Sequence, residues 1–266
     1  MRFISMLLCL ICFAPAATDP TPGASLVAHY TFDFCDGRDV LEGPDARLLG
    51  RPGCRCGVSN DALSFDGTQD QLIFPGRIND YFTTSDFTLS FYLKPDGYQL
   101  LPQALFVKDA TCDKHNQLAL RLTSGTSTLS AHLHETPHKY YANLDFLLPG
   151  PGWIQYALVR EGSMARTYLN GELQRETKRC SGIDLSNEAL LSFGAPVCRS
   201  AERGAHYRGL LDEVRLYDRA LTHAEVRAEY ARRPVEMAEL DCVTEAAPPT
   251  PARGAETDYL CAVIHL

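Results

Sequence analysis

Apolar and polar residues alternate with a period of two along most of residues 26–217, the signature of strands with one buried face. Residues 26–32 open the series. Residues 87–93 carry the cleanest alternation, with Phe87, Leu89, Phe91 and Leu93 set against Thr88, Ser90 and Tyr92. Further runs predict strands over 103–108, 117–123, 128–134, 139–146, 152–160 and 208–217. Residues 62–67 and 71–74, separated by an Asp66-Gly67 break, predict a short hairpin. Asn170-Gly171 is a stronger turn signal, because both residues tolerate the positive φ of a type I′ turn; the flanking runs are expected to pair antiparallel. Turn residues recur about every eight to fifteen positions, which is the spacing of a sandwich and not of alternating strands and helices.

Three stretches depart from this pattern. Residues 34–61 are rich in Gly, Asp, Arg and Cys and have little periodicity, so a long loop tied by disulfides is expected there. Thr222 followed three residues later by Glu225 forms a capping box, and one short helix should run from it to about residue 232, stopped by Pro234. Beyond it, Ala246-Ala247-Pro248-Pro249-Thr250-Pro251 cannot join a sheet and resembles a linker, while 259–266 is apolar enough for a short edge strand. At the other end, Arg2, an apolar run over 3–13 and the small-x-small Ala14-Pro15-Ala16 predict a signal peptide over residues 1–17. That run is too short to span a bilayer as a helix. The organisation expected is therefore a leader, one all-β domain over 25–233 and a Pro-rich tail over 234–266.

Cysteine usage fits an exported chain. Cys9 and Cys12 fall in the leader, leaving Cys35, Cys54, Cys56, Cys112, Cys180, Cys198, Cys242 and Cys261, an even set that predicts disulfides. Cys54-Arg55-Cys56 has no second pair at zinc-finger spacing and predicts two bridge ends on one loop. Spacing leaves the connectivity open; Cys242 with Cys261, both in the tail, is the favoured pair. The formal charge of −8 has acids and bases interspersed and no basic block, which argues against nucleic acid as a partner. There is no Asn-x-Ser/Thr sequon.

Four segments together resemble laminin-G-like jelly-roll domains of the concanavalin A-like lectin and pentraxin sandwiches. They are 26–33, Leu63-Ser64-Phe65-Asp66-Gly67, Trp153 with Asn170-Gly171, and Leu211-Asp212-Glu213-Val214-Arg215-Leu216-Tyr217-Asp218-Arg219-Ala220-Leu221 with its capped helix. The resemblance implies two antiparallel sheets stacked around Trp153, with the first and last strands side by side. It also implies a structural calcium ion between the exit of the first strand and the last strand. Asp33 and Asp212 occupy the matching positions, with Asp39 and Asp36 as weaker candidates. Phe34 and Cys35 replace the small polar residues usual after Asp33, so disulfides are an alternative to the ion; simple capping of strand ends by the two carboxylates is another.

Catalysis on such a sandwich needs paired carboxylates on one strand facing a cleft. Glu239-Leu240-Asp241 and Glu256-Thr257-Asp258 have the spacing but lie in the tail, so no catalytic residue is assigned. His132 and His134 share a face of one predicted strand, with Glu135 and His138 at the turn beyond and Tyr140 and Tyr141 after it. Rings and polar tips on one face suit a sugar; two imidazoles make a weak metal site, and an ordinary solvated face is the plain alternative. Arg199, Arg203, His206 and Arg208 form a basic cluster that either receives an acidic glycan or is soluble surface. The function expected is a secreted, extracellular, non-catalytic module recognising a glycan or glycoprotein, through His132, His134, His138, Tyr140 and Arg208, with calcium as its structural ion. An adhesion or assembly subunit docking on another protein through its tail is the alternative, and a glycan-active enzyme a third.

Overall fold

The computed structural model describes residues 25–97, 99–196 and 204–240. Sixteen strands, numbered in chain order, form two antiparallel sheets of eight. The first sheet runs β14 (Glu172–Lys178), β13 (Met164–Leu169), β12 (Ile154–Glu161), β6 (Phe87–Pro95), β16 (Arg208–Tyr217), β4 (Asp61–Asp66) and β3 (Gly53–Cys56), with β1 (Leu26–Tyr30) also on β16. The second runs β10 (Lys139–Tyr140), β9 (Thr128–Thr136), β8 (Gln117–Thr123), β7 (Gln103–Lys108), β15 (Leu191–Phe193), β5 (Gln71–Phe74) and β2 (Arg47–Leu49), with β11 (Phe146–Leu147) on β9.

Alternation places one row of each strand between the sheets. Phe65, Leu89, Phe91, Leu93, Tyr156 and Leu211 from the first sheet meet Leu72, Phe106, Leu120, Leu133 and Phe193 from the second. Phe91 and Phe106 bridge the layers with ring centroids 4.7 Å apart. Burying a side chain of this size contributes about 1.5–3 kcal/mol, so the rows outweigh any single polar contact. The sandwich expected from the alternation is therefore what forms, and β13 pairs with β14 across the Asn170-Gly171 turn, where both residues have positive φ.

Four details differ from expectation. Residues 62–67 and 71–74 are not a hairpin: β4 and β5 belong to opposite sheets, and the chain crosses between them. Buried Asp70 holds that crossing, accepting from Asp66 N at 3.1 Å and Arg51 N at 2.7 Å. The strand expected over 139–146 is broken into β10 and β11 by Asn143, whose φ of 62° is left-handed. Trp153 is buried, but not between the layers: it lies on the outer face of the first sheet with Val58, Ala62 and Tyr92, beneath Val235 and Ala238. Cys35 does bond Cys54, and Cys56 and Cys112 are also in disulfides, but Cys180 is free and exposed just beyond β14. Cys198, Cys242 and Cys261 lie outside the described residues, as do the leader and the tail from 241.

The first and last strands lie side by side, with Tyr30 opposite Val214. β16 changes partner along its length, pairing with β4 over 208–211 and with β1 from Val214 onward. Asp212 and Glu213 sit in the gap, where the register against β6 breaks and Glu213 takes a φ of 52°. Helix α1 (His223–Arg232) follows, with Thr222 and Glu225 forming the expected capping box. Val226 docks it on Ala157, Val159, Tyr168 and Tyr217 of the first sheet's outer face.

Candidate functional site

The gap in β16 brings Asp212 against the Gly57–Asn60 turn. Its Oδ2 accepts from Val58 N at 2.7 Å and Ser59 N at 3.2 Å, and Asp33 Oδ1 accepts from Asn60 Nδ2 at 3.2 Å, on the same turn. Asp212 is completely buried and its Oδ1 has no partner. Burial, reinforced by the neighbouring Glu213 charge, pushes its carboxyl well above the usual carboxylate range. Asp39 is engaged elsewhere, accepting from His29 N and Leu41 N at 3.0 Å each, and Asp36 accepts from Arg38 N at 3.1 Å in an exposed loop.

Calcium requires six to eight oxygens converging on one point. Here Asp212 Oδ2 and Asp33 Oδ1 are each taken by N–H donors, and Asp212 Oδ1 is buried without a partner. Among the described residues, the acidic, histidine or cysteine trio with ligand atoms close enough to hold an ion is Cys35, Cys54 and Asp61, and its two sulfurs are joined to each other. Among the described residues Asp33, Asp36, Asp39 and Asp212 do not form such a group. The disulfide beside Asp33 instead fixes the loop that carries it.

Glu213, next to Asp212, turns the other way. Its Oε2 meets His29 Nε2 at 2.8 Å and the Arg215 guanidinium, and Arg215 Nη1 reaches Glu229 of α1 at 2.8 Å. Arg232 completes the chain on Glu229 at 3.0 Å. This network ties the first strand, the last strand and the helix together; its hydrogen-bonding and cationic partners keep Glu213 below the usual range against the opposing effect of burial.

On the second sheet, β9 turns Leu129, Ala131 and Leu133 inward and Ser130, His132 and His134 outward. His132 and His134 rings lie 6.1 Å apart and 22° from parallel, and Tyr140 of β10 stacks on His134 at 4.7 Å and 18°. Tyr140 is 37% exposed and His134 only 7%, and His134 Nδ1 is buried with no hydrogen-bond partner. Burial lowers the His132 imidazole to about 4, helped by the Arg121 charge, and lowers His134 too. Both rings are therefore neutral near pH 7, with one nitrogen able to donate and one to accept.

Sequence spacing missed the floor of this face. Gln117 stands opposite His134 on β8 and donates to buried Asp109 Oδ2 at 2.5 Å, and Ala119 stands opposite His132. The Gln117-Ala119-Arg121 alternation signals that these residues share a face, but only the register shows which histidine each one meets. His138 lies on the exposed turn, its N–H donating to Thr136 Oγ1 at 3.3 Å, and is not part of the stack. Arg208 is separated from it: it opens β16 opposite Asp66, with Nε 3.5 Å from Asp96 Oδ2. Arg199 and Arg203 lie outside the described residues.

A family model for the concanavalin A-like lectin/glucanases superfamily, of the laminin G type, matches residues 66–227. The chain belongs to that family. Within this superfamily, its strand-end acids and its outer histidine face sit on a shared scaffold. Domain 4 of AbnA, a GH43 extracellular arabinanase from Geobacillus stearothermophilus, solved with arabinotriose, is similar with 19% identity and a TM-score of 0.59, over 77% of this chain and 97% of that one. The binding domain of Paraclostridial Mosquitocidal Protein 1 is similar at 16% identity and a TM-score of 0.62, over 77% of this chain and 52% of that one. The binding domain of Botulinum Neurotoxin DC, solved with SialylT, matches at 12% identity and 0.61, over 78% and 51%. The chain thus spans about half of each toxin domain. A search of curated proteins found no match. Among the described residues no helix is long and apolar enough to cross a membrane.

Proposed function

We propose that this chain is a secreted, non-catalytic module that binds an extracellular glycan or glycoprotein through the outer face of its second sheet. The observation that carries the reading is the His132–His134–Tyr140 stack, in which an exposed phenol ring on the edge strand lies on a neutral imidazole of the same outer face. Tyr140 supplies the apolar face on which a sugar ring packs, and Gln117 and Arg121 stand on β8, across β9 from it. Neutral imidazoles suit hydroxyl groups better than carboxylates or sulfates.

The similar structures support a binding role by analogy of scaffold: one was solved with arabinotriose and another with SialylT. Of the acids on the strands, Asp212 and Glu213 are buried and turned toward different partners, and the exposed Glu161 and Glu176 are both paired with Arg166. The reading needs no calcium.

A glycan array probed with the wild type and with Tyr140→Ala tests the proposal. Signals on neutral glycans that fall at least tenfold in the variant, with an unchanged melting temperature, are expected. No glycan signal from the wild type, or full retention by the variant, would refute the site.

A further inference from the structure

Tyr140 lies on β10, a two-residue edge strand whose register against β9 shifts between Lys139 and Tyr140. Tyr141 N donates to Leu133 O at 3.1 Å, and the left-handed φ of Asn143 then interrupts the strand. The ladder around Tyr140 is therefore short. An edge this brief opens locally unless contacts outside the ladder hold it.

Such contacts come from the first sheet. Arg179, directly after β14, donates its backbone N–H to Ser163 O at 2.9 Å, in the turn between β12 and β13, which fixes the base of its side chain. Its Nη1 then donates to the Tyr140 carbonyl at 2.5 Å, across 39 positions of sequence. The residues on either side of Tyr140 are tied as well. Tyr141 Oη donates to Gly162 O at 3.1 Å, in that same turn. Lys139 Nζ meets Glu135 Oε2 at 2.6 Å, and the same oxygen accepts from Asp184 N at 2.8 Å. The Arg179 bond is the tie made to Tyr140 itself, and a donor that carries charge makes a bond roughly twice as strong as a neutral pair.

We propose that Arg179 is the positioning residue of the glycan site: from the opposite sheet it holds the Tyr140 backbone so that the phenol ring stays stacked on His134, 4.7 Å away and 18° from parallel, before any sugar arrives. The inference rests on the glycan reading above. With its backbone pinned and one ring face against an imidazole, the phenol has little rotamer freedom left to lose. Less of the site then has to be ordered on binding, which raises affinity without adding a contact.

A staple that merely joins the two sheets would act differently, and the chain supplies one for comparison. Arg175, four residues earlier on β14, donates Nε to Asp145 O at 3.0 Å and so links the same sheets through a residue other than Tyr140.

Full-length Arg179→Met, which keeps the stem and removes the donors, is compared with Arg175→Met and Tyr140→Ala. The His132 and His134 ring protons carry a ring-current shift from the phenol, measured as the change in Tyr140→Ala. Arg179→Met should lose at least half of that shift and Arg175→Met none of it. The Tyr141 amide should exchange at least tenfold faster in Arg179→Met and at the wild-type rate in Arg175→Met. On an array of neutral glycans the Arg179→Met signals should fall at least fivefold, with a melting temperature lowered no more than in Arg175→Met. Ring shifts and exchange equal to wild type, or altered as much in Arg175→Met, would overturn the proposal, because Arg179 would then be one staple among several. Binding lost in Tyr140→Ala but kept in full by Arg179→Met would overturn it too, and would leave the glycan reading intact. A wild type that binds no glycan would remove that reading and with it the role in binding, while the ring shifts would still show whether Arg179 sets the phenol.

Discussion

The Val58 backbone N–H donates to Asp212 Oδ2 at 2.7 Å across 154 positions of sequence, closing the gap where the last strand changes partner from β4 to β1. Together with Ser59 N it makes one oxygen of the carboxyl an anchor for a turn. The melting temperature is therefore expected to be the same in calcium and in excess chelator. A site saturated at a hundred times its dissociation constant would instead add about 2.7 kcal/mol, several degrees in a scan, and such a shift would restore the ion.

Asp212→Asn separates the same two readings by a different route. The amide oxygen can still accept from Val58 and Ser59, and the NH2 replaces the orphaned oxygen. Because burial raises the Asp212 carboxyl, the native state holds its proton to higher pH than the unfolded chain does, so stability declines as pH rises through the native value. The variant should lose that decline and be at least as stable as wild type at pH 8. Loss of about 2 kcal/mol or more on denaturant titration would show that the charge is needed.

Glu213 presents the opposite case, a buried charge that is paired. Removing one member of such a cluster leaves its partners uncompensated and costs about 3–5 kcal/mol. Glu213→Ala strands His29 and Arg215 together and loosens α1 through Glu229. Denaturant unfolding should show a loss in that range, with Glu213→Gln less severe. A change under about 1 kcal/mol would mean that the network is not carried by this carboxylate.

His132 makes the protein sensitive to acid. Its folded value of about 4 lies below the unfolded 6.5, so between those limits the unfolded chain binds more protons and stability falls as pH drops. His132→Gln should flatten the loss of melting temperature between pH 6.5 and 4. An unaltered slope would place the acid sensitivity elsewhere. Both imidazoles being neutral, glycan affinity is expected to stay level between pH 8 and 6.5.

Much of this architecture was legible because alternation, the Asn170-Gly171 turn and the Thr222–Glu225 box are local signals that the fold obeys. The adjacency of β1 and β16 came through the resemblance of the Asp212–Leu221 stretch. What stayed hidden depends on which surface covers which. Residues 62–67 and 71–74 alternate identically whether they pair or face each other across a core. Trp153 looks inward by residue type, and only the chain at Val235–Glu239 makes the outer face a burial site. Gln117 is matched to His134 by register, which has no sequence signature.

Trp153 is the chain's one tryptophan, so its fluorescence reports the outer face of the first sheet alone. It is 8% exposed, and its indole N–H donates to Glu239 Oε1 at 3.0 Å, which Lys94 also contacts. Lys94 and Glu239 are each more than a third exposed, so their ion pair contributes little by itself. The hydrogen bond from a buried indole is the larger part, about 1–1.5 kcal/mol. Glu239→Ala should therefore cost about 1 kcal/mol, shift the emission maximum to the red and speed quenching by iodide. Glu239→Gln keeps an acceptor for the indole and should retain most of the wild-type spectrum. If both variants leave emission and quenching unchanged, Trp153 is shielded by Val235 and Ala238 alone and Glu239 does not anchor this segment.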